Sequence, residues 1–144
     1  MPYLLSLSRL RLLAALLALV FASSACVLTG GHDKRPDSII GSYVLNGVDP
    51  TGTAYAGHLT IEQADGPDEY RLQWIVSGVQ TGVGTLEGDT LDVAWTTVDG
   101  VDVEARGRAV FTVQPDGSLI GTRTVAGLDT AGTEEAFPND DLTR

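Results

Sequence analysis

The sequence predicts an all-β domain: an eight-stranded antiparallel up-and-down meander closing into a small barrel, with a two-sheet β-sandwich as the alternative. Three observations carry this. From Asp37 onward apolar residues recur at every second position, as on half-buried strands, and no i, i+3, i+4, i+7 stripe marks a helix. The alternating segments are separated by turn sequences such as Asp65-Gly66-Pro67-Asp68 and Pro115-Asp116-Gly117. The connections are short, which favours antiparallel pairing of consecutive strands. An open meander of eight strands would expose two raw edges, and closure removes both.

The first strand is read at 38–46 (SIIGSYVLN), ended by the turn Asp49-Pro50-Thr51-Gly52. At 55–63 the alternation is clean: Tyr55, Gly57, Leu59 and Ile61 share one face, and Ala56, His58, Thr60 and Glu62 the other. The strand at 70–76 turns Tyr70, Leu72, Trp74 and Val76 inward, with Arg71 and Gln73 outward. A glycine-rich strand at 80–86 leads through the tight hairpin Glu87-Gly88-Asp89 into 90–97, which buries Leu91, Val93 and Trp95. After Asp99-Gly100 one long strand is expected at 101–114, bending near Gly107, and strands at 118–125 and 133–137 complete the set. Gly57, Gly82, Gly84 and Gly121 fall in the inward phase, where a crowded interior or the bends of closure suit a residue without a side chain. The barrel domain is assigned to 37–138 and an acidic tail to 139–144.

Charge and cysteine usage exclude several classes. The 144 residues hold 19 acidic and 9 basic side chains, a formal net charge of −10, so the chain repels phosphate and no nucleic-acid partner is expected. A single cysteine forms no intrachain disulfide. Residues 1–25 contain Arg9 and Arg11, no acid, and an 11-residue apolar run at 12–22. A membrane-spanning helix needs about 18–20 such residues, so this segment reads as a secretory signal peptide, and 26–36 as a tether. The stretch Ser23-Ser24-Ala25-Cys26 resembles a bacterial lipobox. That resemblance implies that Cys26 becomes the lipid-modified first residue and that its lipid anchors the protein to a membrane of the bacterial envelope. In a Gram-negative host, Val27 implies the outer membrane. Ser23 stands where the lipobox usually has leucine or another aliphatic residue. Ser23 and Ala25 also suit ordinary signal peptidase, which leaves a periplasmic or secreted protein as the alternative. Cleavage before Cys26 leaves 119 residues with seven basic and 19 acidic side chains, a formal net charge of −12.

Motifs for chemistry are sparse. There is no HExxH, CxxC, Asp-rich calcium loop or G-x-S-x-G. His58 stands alone on a polar strand face, and His32 lies in the tether. Gly82-Val83-Gly84-Thr85-Leu86-Glu87-Gly88 has the wrong glycine spacing for a dinucleotide loop and precedes no helix. The acidic pairs Asp68-Glu69, Glu134-Glu135 and Asp140-Asp141 fall mostly in turns or the tail, where a solvated charge is the default. No catalytic residue, metal or cofactor is expected. The aromatic set Tyr43, Tyr55, Tyr70, Trp74, Trp95 and Phe111 reads first as core, although aromatics near one mouth of a small barrel would also line a pocket. Arg123 shares its phase with Leu119, Gly121 and Val125, an expensive place for an unpaired charge. The next strand begins Thr133-Glu134-Glu135, so Arg123 is expected to pair with Glu134, or else Glu135, near one end of the barrel; a bulge that turns it to solvent is the alternative.

Several segments in order resemble a family of small secreted bacterial β-barrel proteins named for fibronectin binding. They are Gly41-Ser42-Tyr43-Val44-Leu45-Asn46-Gly47, Pro50-Thr51-Gly52-Thr53-Ala54-Tyr55-Ala56-Gly57, Tyr70-Arg71-Leu72-Gln73-Trp74, Asp116-Gly117-Ser118-Leu119-Ile120-Gly121-Thr122 and Gly132-Thr133-Glu134. The chain departs from that pattern at Arg123, where the family has tryptophan, and at 101–108, which is longer and more charged. The resemblance implies adhesion to a host or matrix protein such as fibronectin; the residues themselves read as a noncatalytic binding protein, held on the envelope or released, with a protein partner bound at an exposed strand edge or loop face. The alternative is a barrel of the lipocalin or avidin type that binds a small ligand in its lumen. Tyr43, Tyr55, Tyr70, Trp74, Trp95, Arg123 and Glu134 are then the candidates to line the pocket.

Overall fold

A computed structural model describes residues 37–98 and 105–139. The signal peptide, the tether with Cys26 and His32, residues 101–104 of the long expected strand, and 140–144 of the acidic tail lie outside the described residues.

Eight strands follow in sequence order: β1 Gly41–Val48, β2 Ala54–Gln63, β3 Glu69–Ile75, β4 Val79–Glu87, β5 Thr90–Thr97, β6 Arg106–Val113, β7 Leu119–Val125 and β8 Ala131–Pro138. Each pairs antiparallel with its neighbour, and β8 pairs back onto β1 to close the barrel. The sandwich alternative is thereby set aside. None of the eight strands keeps a free edge, so the expected strand-edge route to a protein partner is closed. The sixth strand is shorter than expected. It begins at Arg106, with Ala105 outside it, and Gly107 is its second residue rather than a mid-strand bend. The first strand begins at Gly41, and Ile39 before it packs into the core.

The turns form where side chains satisfy their backbone. Asp49 Oδ1 accepts from the amides of Thr51 at 2.8 Å and Thr53 at 2.9 Å, which folds the β1–β2 connection. Asp116 Oδ1 does the same for the Ser118 amide at 2.9 Å. Gly88, at φ 60°, supplies the left-handed residue that the two-residue β4–β5 hairpin needs.

Alternation delivers one continuous interior: Leu45, Leu59, Ile61, Leu72, Trp74, Leu91, Val93, Phe111 and Leu119 are fully or almost fully buried. Two inward glycines make room for this volume. A Cβ on Gly82 would approach Val93 Cγ1 to 2.7 Å, and one on Gly84 would meet the Asp92 carbonyl at 2.7 Å.

Candidate functional site

The β1–β2, β3–β4, β5–β6 and β7–β8 connections share one end of the barrel, and the buried charged residues lie toward that end. Arg123 on β7 and Glu134 on β8 are 5% and 1% exposed. In the β7–β8 register Gly121 faces Glu134 and Arg123 faces Gly132, so the two charged residues are inward-facing diagonal neighbours. Arg123 Nη1 donates to Glu134 Oε1 at 2.7 Å, and Arg123 Nη2 donates to Gln80 Oε1. The guanidinium carbon lies 3.8 Å from the Trp95 ring centroid and 4.9 Å from that of Trp74, within cation–π range of both.

Glu134 is the hub. Its Oε1 also accepts from the Tyr55 hydroxyl, and its Oε2 accepts from Trp74 Nε1 at 3.3 Å. Three donors from β2, β3 and β7 therefore converge on one carboxylate, and among the described residues no buried side-chain nitrogen or oxygen lacks a partner. Trp95 is fixed in turn by its Nε1, which donates to the Thr124 carbonyl at 3.2 Å. Burial holds the Tyr55 phenol above its usual range, and the neighbouring Glu134 charge raises it further.

Above this cluster the end of the barrel opens into a cavity of about 410 Å³. Arg123, Gln80 and Trp95 form its inner surface, and Pro50, Tyr55, Val76 and Val125 are among its walls. The residues that sequence pattern suggested thus divide into two groups. Tyr55, Trp74, Trp95, Arg123 and Glu134 come together. Tyr55, Trp95 and Arg123 line the cavity, while Trp74 and Glu134 lie behind it. Tyr43 and Tyr70 do not join them. They are registered with Pro138 and Gln63, toward the opposite end, where the Tyr43 hydroxyl donates to the Ile39 carbonyl at 2.7 Å. Gln80 was not among the candidates, although its place two residues before Gly82 put it in the same inward phase.

A second depression, about 490 Å³, lies on the outer wall. Outward side chains including Thr60, Arg71, Gln73, Thr81 and Val83 line it, and neither charged member, Glu62 or Arg71, is buried. Among the described residues no group of three His, Cys, Asp or Glu could hold a metal ion.

No protein-family model matches the chain, and no curated protein does. Solved structures of similar fold exist. One is a de novo designed fluorescence-activating β-barrel, with 17% identity and a TM-score of 0.54, covering 69% of this chain and 93% of that one. Another is a redesigned β-barrel bound to DFHBI, with 17% identity and a TM-score of 0.53, covering 69% of this chain and 97% of that one. At this identity the likeness concerns the barrel fold alone.

Proposed function

We propose that this chain is a noncatalytic binding protein that takes a small, uncharged, largely apolar ligand into the open end of its barrel. The observation that carries this reading is the cavity itself. It is about 410 Å³, a size typical of small-molecule sites, and its walls are mainly apolar and aromatic. Arg123, the one cation among the described residues that line it, is already matched by Glu134 and Gln80. An anionic ligand would have to compete with that pairing in a chain of strongly negative net charge. That a redesigned barrel of similar fold is bound to DFHBI supports the reading by analogy of architecture. The setting we propose is the bacterial envelope, with Cys26 lipid-modified, on the strength of the short apolar run that precedes it. Native mass spectrometry of the protein purified from its own envelope tests the function. A co-purifying small-molecule mass, absent from a Val125→Trp variant that fills the cavity, is the expected result. Only the bare protein mass, with no small apolar compound bound on addition, would count against it.

A protein partner is the second reading, favoured by one feature of the outer wall. The register aligns Phe137, Val44, His58, Ile75 and Val79 in one row across β8, β1, β2, β3 and β4, and all but His58 are exposed large apolar residues. Fibronectin pull-down with wild-type protein and a Val44→Glu, Ile75→Glu double variant tests this reading. Capture lost in the variant supports it, and no capture by wild type removes it.

A further inference from the structure

Gln80 is an uncharged polar side chain that, like Tyr55, touches both the buried charge network and the cavity. Its amide has two chemically different ends. Arg123 Nη2 can only donate, so the end that faces it is the carbonyl Oε1. This fixes the amide orientation and leaves the Nε2 group on the other side. Nε2 makes no hydrogen bond to the described residues, and no buried polar atom among them lacks a partner, so Nε2 lies where solvent or a ligand reaches it. The residue is half-buried in the inward phase of β4 and lines the cavity, between backbone partners Trp74 on β3 and Thr97 on β5.

We infer that Gln80 is the specificity-determining residue of the cavity, and that its Nε2 donates a hydrogen bond to an acceptor, a ketone or amide carbonyl, on an otherwise apolar ligand. This rests on the cavity being the binding site. The Arg123–Glu134 pair acts through Gln80 by holding the amide in one of its two orientations, so the donor is presented before the ligand arrives. A ligand without an acceptor would strip water from Nε2 and return nothing, which is how a buried amide discriminates between molecules of equal shape.

The test uses two probes of nearly the same shape, 2-acetylnaphthalene and 2-ethylnaphthalene, which differ in one carbonyl. Dissociation constants are read by ¹⁵N-resolved NMR titration of the processed full-length protein. Wild type should bind the ketone roughly five- to tenfold more tightly than the hydrocarbon, with the Gln80 side-chain amide resonances moving only for the ketone. Gln80→Glu keeps an acceptor for Arg123 and removes the donor, so the ketone preference should vanish. Gln80→Met removes both functions and should also lose the preference; if it fails to fold, Gln80→Glu decides. Equal binding of the two probes by wild type, or a preference that survives in Gln80→Glu, overturns the role of Gln80 and leaves the cavity reading standing. Binding of neither probe refutes the cavity as an apolar site and this inference with it.

Discussion

Removing either member of the Arg123–Glu134 pair tests the structural account most directly. Glu134→Ala would leave the Arg123 guanidinium in the interior with Gln80 as its remaining acceptor, and would strip the Tyr55 hydroxyl and Trp74 indole of theirs. Arg123→Ala would leave a buried carboxylate with two neutral donors and open a gap beside both tryptophans. Breaking a buried pair from one side costs about 3–5 kcal/mol, so each single variant should lose that much. The double variant orphans no charge. Its cost should be similar to one single change rather than to the sum of two, a coupling of about 3–5 kcal/mol. Total stability of a domain this size is about 5–15 kcal/mol, so the singles will be damaged but measurable. Urea unfolding followed by circular dichroism gives all four corners of the cycle. Near-wild-type stability in both single variants with a coupling of zero, the behaviour of a solvated pair, would refute the buried network.

Three further outcomes can be measured, two from the geometry of the barrel and one from the sequence before it. Tyr43, buried beside Ile39, has its phenol pushed up to about 12, and a raised folded value means stability is fully present below the unfolded value of about 10 and lost as pH rises from there towards 12. Unfolding midpoints measured between pH 9 and 12 should therefore fall, and Tyr43→Phe should flatten the decline. A Cβ on Gly57 would run into the Ile75 carbonyl, whereas one on Gly78 meets nothing within 4 Å, so Gly57→Ala should cost about 1–3 kcal/mol and Gly78→Ala less than about 0.5 in the same urea assay. Cys26→Ser should move the protein from the membrane to the soluble fraction; wild-type protein already soluble, with a mature N-terminus beyond position 26, would exclude lipid anchoring.

Most of the barrel was legible because period-2 alternation is a local signal. It placed Trp74, Trp95 and Arg123 in the inward phase, and all three are buried. The Arg123–Glu134 pair was legible for the same reason, since the two residues lie 11 apart on consecutive strands joined by a short connection. The rest of the site was not. Tyr55 and Trp74 are 79 and 60 residues from Glu134 along the chain, and only the curvature of a closed barrel brings them to the same carboxylate. Gln80 carries no motif, and its glycine-containing segment reads only as a strand. The sixth strand is expected through Ala105 because Ala105 continues the alternating pattern of Gly107 and Ala109, yet Ala105 lies outside β6.

The order in which the chain is made bears on when the protein can act. The seam runs between the first strand and the last, with Val44 facing Phe137 and Gly47 facing Glu134. Until β8 is in place, β1 and β7 are both raw edges, and Arg123 sits in the interior without its carboxylate. Zipping that seam joins segments about 90 residues apart in the chain, the kind of long-range pairing that makes β-proteins fold slowly. The strand that zips it also delivers the hub of the polar network. Sealing the cylinder and arming the pocket are thus one event. A chain that ends before residue 131 would be an open sheet with raw edges at β1 and β7, prone to pair with its neighbours until its final strand arrives.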